Sequence, residues 1–307
     1  MAKITKNKPL WHPVLWPTWI VVGLAYLISR LPFNTKLDFG ENLGHWANKK
    51  LRSRHKVATK NIQACFPDMP RHEQAALVEK TFVSVSKGLL ESIHTWWCDV
   101  GPQMEKLHIL GEEHIQESIK RGKGVLLIGG HYTIFDLALP FIAAQFPKPG
   151  YVYRPNDNPA IDWMIERGRR RHYNIQAFSK REIKNMTVFL QQGGAVWYAC
   201  DQDFGSRTSL FVPFFGVPAG CIDAPSKIAN ESGASVICVS HLRLPNGDYE
   251  ITFSPIIEDF GQDPEKDALV WNQYLENKIR QYPDQYLWLH RRFKTRPADA
   301  KSIYSGR

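Results

Sequence analysis

His131 and Asp136, in the stretch GGHYTIFD after the apolar run GVLLI, are the residues whose types best suit the movement of a proton. An imidazole with one nitrogen held by a carboxylate has its tautomer fixed and its protonated form stabilised. The other nitrogen is then free to act as a base toward an alcohol or thiol. On an ideal helix, positions five apart lie about 140° from one another. The two side chains therefore meet only if His131 sits ahead of the first regular turn, a geometry that Gly129 and Gly130 permit. The same residues also describe a strand-to-helix turn with one polar residue at its tip, and the stretch alone leaves both readings open.

Three further polar clusters follow apolar runs. Arg154 stands with Asn156 and Asp157 in YRPNDNP, Asp201 and Asp203 lie in DQDFG, and HRRFK begins at residue 290. Arginine grips phosphate or carboxylate through its two-pronged guanidinium, so Arg154 and the run Arg167, Arg169, Arg170, Arg171 are candidate anion contacts. Arginines at successive helical positions cannot all face one site, and part of that run is expected to be solvated. Asp201 and Asp203 alternate along an extended segment and point the same way. No further ligand set accompanies them, so they are expected to accept hydrogen bonds or touch substrate rather than to hold a metal. FVPFFG reads as an apolar loop that either packs as core or lines a lipid tunnel. GxGxxG, GxxxxGK[ST] and GxSxG are all absent, which removes dinucleotide, phosphate-loop and serine-hydrolase chemistry.

The elements that must position these residues follow a βαβ rhythm from about residue 105 to the end. Short apolar runs (LHIL, GVLLIGG, YVY, NIQAFS, AVWYAC, ASVICVSHLRL, DYEITF) alternate with amphipathic segments, and a helix runs from about Pro264 to Gln281. This predicts an α/β fold with a mostly parallel central sheet flanked by helices and an antiparallel pair late in the order. In such sheets ligands sit beyond the carboxyl ends of the strands, where the polar clusters fall. Residues 34–104 read as a helical, basic region continuous with the sheet domain, with a helix from about Arg71 to Trp97 and with Lys49, Lys50, Arg52, Arg54, Lys56 and Lys60 crowded in one stretch. Residues 1–33 read as a hydrophobic membrane-anchor helix. The segment from Leu10 to Ser29 has no Asp, Glu, Lys or Arg, and Lys3, Lys6, Lys8 and Arg30 flank it. Its length is marginal for spanning and Pro13 and Pro17 weaken its first third. An anchor embedded in or lying along the cytoplasmic face is expected, with tryptophans at headgroup level. A buried core helix is the alternative.

The formal charge of +9 favours an anionic membrane, an acidic protein, a phosphorylated substrate or nucleic acid. The basic runs match no nucleic-acid module, and ten tryptophans suit a lipid interface better. Five widely spaced cysteines without a CxxC indicate neither a disulfide framework nor a zinc site.

HYTIFD has the HxxxxD form of the glycerolipid acyltransferases. Together with YVYRPNDNPAIDW, WYACDQDFG, FVPFFG and QYLWLHRRFKTRP it resembles the lauroyl/myristoyl branch that adds the late acyl chains of lipid A. The resemblance runs nearly the full length of the chain. It implies an O-acyltransferase of the inner membrane's cytoplasmic face, acting without cofactor or metal and as a monomer. The donor would be an acyl carrier protein thioester and the acceptor a hydroxyl on an acyl chain of a lipid A precursor. By the same resemblance His131 is the base and Asp136 its carboxylate partner. Arg154, Arg169 and Arg171 would contact the acceptor's phosphate or sugar acid. Asp201 and Asp203 occupy a substrate-binding block where relatives that acylate glycerol phosphate carry a glutamate-glycine pair.

Overall fold

The computed structural model describes residues 8–203, 205 and 209–305. Pro13 opens a short 3-10 turn, and Pro17 sits in the first turn of α1 (Trp16–Ser29), where its missing N–H breaks no helical bond. The basic helical stretch forms two helices, α2 (Phe33–Lys50) and α3 (Arg52–Cys65), separated at Leu51, whose φ of −89° and ψ of 62° are not helical. The long α4 (Arg71–Trp97) and the single turn α5 (Gly101–Met104) lead into the sheet.

From there the chain alternates as its periodicity predicts. In order come β1 (Leu107–Leu110), α6 (Glu112–Lys120), β2 (Val125–Gly129), α7 (Phe135–Ala143), β3 (Pro149–Tyr153), α8 (Pro159–Arg169), β4 (Gln176–Ser179), α9 (Ile183–Gln191) and β5 (Ala195–Ala199). A hairpin, β6 (Ser209–Phe214) and β7 (Val217–Ile222), precedes α10 (Ala224–Ser232), β8 (Ser235–Arg243), β9 (Tyr249–Phe253) and α11 (Pro264–Gln281). The seven-stranded sheet has the order β1-β9-β8-β2-β5-β3-β4. Every neighbouring pair is parallel except β8 with β9. The expected α/β class and late antiparallel pair are thus what forms.

Strand β2 is buried on both faces, as the centre of a parallel sheet must be. Leu126 and Ile128 enter the core under α10, α11 and the hairpin, while Val125 and Leu127 enter the opposite core under α7. FVPFFG is not a loop: it forms most of β6, and the turn Phe215–Gly216 has φ of 51° and 74°. Phe214 is fully buried, Phe215 packs on Phe66 and Trp288, and the Phe215 N–H donates to Glu276. These contacts hold a bulky residue in the left-handed region that glycine ordinarily fills.

The expected anchor helix does not form a membrane span. At 1.5 Å per residue the 14 residues of α1 reach about 21 Å, short of a hydrocarbon core of about 30 Å. No described helix is long and apolar enough to cross a membrane. Instead α1 lies on the body of the protein. Trp19 packs edge-on against Trp163 of α8 and Tyr26 against Trp97 of α4, at 5.5 and 6.1 Å between ring centroids. Where α1 meets α2, the buried Lys36 ammonium donates to the Ser29 carbonyl and lies 2.9 Å from His94 Nδ1. The outward side of α1 nevertheless remains apolar, with Trp16, Ile20, Val21, Leu24 and Leu27 all more than half exposed. Lys3 and Lys6, before this segment, lie outside the described residues, as does Phe204 of DQDFG.

Candidate active site

Strands β2 and β5 are hydrogen-bonded neighbours, and their last residues, Gly129 and Ala199, stand opposite each other in register. His131 and Asp201 each follow by two residues, so parallel pairing delivers both side chains to the same point beyond the carboxyl edge. There Asp201 Oδ1 lies 2.5 Å from His131 Nδ1, and Asp201 Oδ2 accepts the His131 backbone N–H at 2.9 Å. An ionised carboxylate only accepts, so Nδ1 carries a proton toward Asp201, and Nε2 is the nitrogen outside that contact. Asp201 is 2% exposed and His131 24%, which buries the carboxylate behind the ring while the ring keeps a path to solvent. Burial alone would raise the Asp201 carboxyl. The charge of His131 and the two hydrogen bonds from that residue outweigh it and hold Asp201 well below the usual carboxylate range.

The imidazole is fixed from its face as well. Phe135 stacks on it at 5.5 Å with 10° between planes, and Trp197 stacks on Phe135 at 4.4 Å. The loop is pinned from two sides. The Leu287 N–H donates to the His131 carbonyl, the Thr133 N–H donates to the Gln285 carbonyl, and Tyr132 and Tyr286 form an antiparallel bridge. On the other side Gly88 of α4 touches the Thr133 carbonyl so closely that a Cβ there would stand 1.9 Å from the oxygen. The stretch HRRFK therefore does not begin at a strand's end. It follows a 3-10 turn and the segment that clasps the His131 loop, and its Arg292 is buried, donating to the Gly220 carbonyl.

The expected contact between His131 and Asp136 is not made. Asp136 lies in the first turn of α7, and its Oδ1 takes the Nε–H of Arg169 at 2.6 Å. Arg169 and Asp136 side chains are 13% and 12% exposed, and the guanidinium also lies 5.5 Å from the Phe135 ring centroid and 5.2 Å from that of Tyr151. Burial opposes the Arg169 charge, and Asp136 outweighs that opposition and holds its pKa above the ordinary arginine value. The two residues form a neutralised strut between α7 and α8, and Asp136 directly follows Phe135, which stacks on the imidazole. Gly129 and Gly130 do not supply unusual backbone angles, since neither has a positive φ. Their lack of side chains matters for space: a Cβ on Gly129 would stand 2.8 Å from Trp197 Nε1.

The other candidates separate. Asp203 accepts from the Thr295 N–H and hydroxyl and from the Gly205 N–H, so it ties the C-terminal segment to the strand end and does not face His131. Arg154 is 74% exposed, with a loose contact to Asp157 at 3.5 Å. Arg171 is exposed beyond the end of α8, lining a cleft with Trp96 and Trp97. What the sequence reading missed is the pairing of His131 with Asp201 and the clasp at residues 285–287. The first was within reach had β2 and β5 been placed side by side.

Comparison with known proteins gives this geometry its context. The sequence profile of bacterial lipid A biosynthesis acyltransferases matches residues 4–295. The chain belongs to that family. The chain is 37% identical to the lipid A biosynthesis lauroyltransferase of Escherichia coli K12, over 96% of this chain and 97% of that protein. It is 32% identical to a lipid A biosynthesis acyltransferase of Haemophilus influenzae, over 95% of each chain, and 30% identical to the palmitoleoyltransferase of E. coli K12, over 95% and 96%. The protein is thus an acyltransferase of the late lipid A type. Acyl transfer joins a nucleophile to an acyl carbonyl, and a partly exposed imidazole backed by a buried carboxylate is suited to taking the nucleophile's proton.

Proposed function

We propose that the protein transfers a fatty acyl chain from an acyl carrier protein thioester to a hydroxyl on an acyl chain of a lipid A precursor, with His131 as base and Asp201 as its carboxylate partner. The observation that carries this reading is the hydrogen bond between His131 Nδ1 and the buried Asp201. Nε2 takes the proton of the acceptor hydroxyl as its oxygen bonds to the thioester carbonyl carbon. The tetrahedral intermediate collapses with cleavage of the C–S bond, and the imidazolium returns its proton to the departing thiolate. Asp201 stabilises the imidazolium in both steps. No acyl-enzyme is needed.

Asp136 acts in this scheme through Arg169. Their ion pair sets the spacing of α7 and α8 and keeps Phe135 stacked on the imidazole. Arg154 and Arg171, both exposed, are assigned to anionic groups of the acceptor. The outward apolar side of α1 would rest in the headgroup region of the inner membrane's cytoplasmic face, bringing the acceptor to the site without a spanning segment. The basic surface, with a formal charge of +9 on the chain, suits both the anionic leaflet and an acidic carrier protein.

Mass spectrometry of lipid A from cells lacking the gene tests the reaction. Loss of one secondary acyl chain, restored by the wild-type gene and not by His131→Ala, is expected. An unchanged lipid A spectrum would overturn the assignment of the acceptor.

A further inference from the structure

We infer that a cleft of about 390 Å³ between the end of α4 and α8 binds the phosphate-bearing headgroup of an amphiphile held at the membrane surface. The inference rests on the reading of the protein as an acyltransferase of a phosphorylated glycolipid, and it assigns that lipid's anionic group to a place. The walls are Trp96, Trp97, Trp163, Arg167, Arg170 and Arg171.

The arginines at the end of α8 and just beyond it point to different places. Arg169 turns inward to Asp136, while Arg167, Arg170 and Arg171 reach the cleft. Arg170 is paired with Glu166 at 2.8 Å. Among the described residues no acidic side chain pairs with Arg167 or Arg171, and Arg167 lies over the Trp163 ring at 5.5 Å from its centroid. Two uncompensated guanidinium groups in a concavity lined by three indoles form a mixed surface. The cations match phosphate oxygens in pairs, and the rings take apolar carbon. An acidic peptide would find the cations but waste the indoles, and a neutral lipid the reverse.

The surroundings fix where such a ligand comes from. Trp163 and Trp97 are the residues on which α1 packs, so the cleft opens beside the exposed apolar side chains of α1. An amphiphile whose chains lie in the bilayer would present its headgroup there. The cleft is also rigidly linked to the chemistry. Gly168 packs so tightly on Trp96 that a Cβ would fall 2.5 Å from its side chain, and the next residue, Arg169, holds Asp136 and overlies Phe135.

The test uses the full chain in neutral detergent micelles, titrated calorimetrically with dodecyl phosphate, with inorganic phosphate and with a neutral dodecyl glycoside. Tightest binding of dodecyl phosphate is expected. It should weaken roughly tenfold to a hundredfold in Arg167→Ala/Arg171→Ala and be largely retained in Arg167→Lys/Arg171→Lys. Equal affinity of wild type and the Ala double variant would overturn the site. Inorganic phosphate binding as tightly as dodecyl phosphate would reduce it to a simple anion site and overturn the amphiphile. A second arm compares KM for a phosphorylated acceptor and for its dephosphorylated analogue, with the Ala double variant expected to raise only the first. If no glycolipid acceptor is turned over, the acyltransfer reading fails while the calorimetric arm still decides the cleft.

Discussion

Replacing Asp201 by asparagine separates the role of that carboxylate from its place in the fold. The side-chain amide oxygen of the variant can still accept the His131 backbone N–H, now 2.9 Å from Asp201 Oδ2, so the loop keeps one of its two ties. What disappears is the negative charge beside the imidazole. Taking the imidazolium centre at about 4 Å from the carboxylate and an effective dielectric of about 20, the lost attraction is about 4 kcal/mol. Since that attraction grows as His131 becomes charged in the transition state, kcat should fall about a thousandfold. The assay is single-turnover transfer of a radiolabelled acyl chain from acyl carrier protein to a tetraacyl lipid A precursor, with thermal unfolding run alongside. We expect Asp201→Asn to unfold within a few degrees of wild type while losing that activity. A variant retaining activity within about tenfold would refute the assignment of Asp201, because a general base typically contributes about a hundredfold or more.

The strut beside the site should respond differently. Asp136→Asn strands a guanidinium that is 13% exposed, at a cost of about 3 kcal/mol or more in stability, and Asp136→Asn/Arg169→Gln should recover a good part of it in a urea melt. His241 supplies a pH dependence. It is fully buried, neither ring nitrogen has a hydrogen-bond partner among the described residues, and burial first, then the charge of His131, pushes it down to about 3. Because its folded value lies below the unfolded one, its contribution is complete above about pH 6.5. It is lost as pH falls toward 3, by about 1.4 kcal/mol per unit. His241→Phe should flatten that limb of the stability curve without loss at about pH 8, which urea melts across the range would show. Gly88→Ala should raise helix propensity by about 1 kcal/mol in isolation. The methyl would nonetheless collide with the Thr133 carbonyl at 1.9 Å, so lower transfer activity with a lowered melting temperature is expected.

The alternation of apolar and amphipathic segments made the strands, the mostly parallel sheet and the late antiparallel pair legible, because buried parallel strands are short continuous apolar runs. It also placed His131 and Asp201 at strand ends. What it did not carry was strand order. The two residues meet because β5 lies next to β2 in register, with β3 and β4 beyond β5 at one edge of the sheet, and that arrangement depends on packing between segments far apart in sequence. Without it, the nearest carboxylate in sequence, Asp136, was the natural partner, although helical geometry already set the two about 140° apart. The inward turn of Arg169 is another long-range result, fixed by Asp136 33 residues away. The apolar N-terminal segment showed the converse: its composition was plain, but the regular helix takes up only 14 residues of it, after a 3-10 turn that begins at Pro13.

The central claim is that the His131 imidazole is held by Asp201 with its proton on Nδ1. Proton and nitrogen NMR of protein labelled at histidine ring nitrogens, at neutral pH, tests it directly. A protonated Nδ1 at His131 with a strongly downfield proton is expected, lost in Asp201→Asn and retained in Asp136→Asn. Retention in Asp201→Asn with loss in Asp136→Asn would contradict it and return the carboxylate role to Asp136.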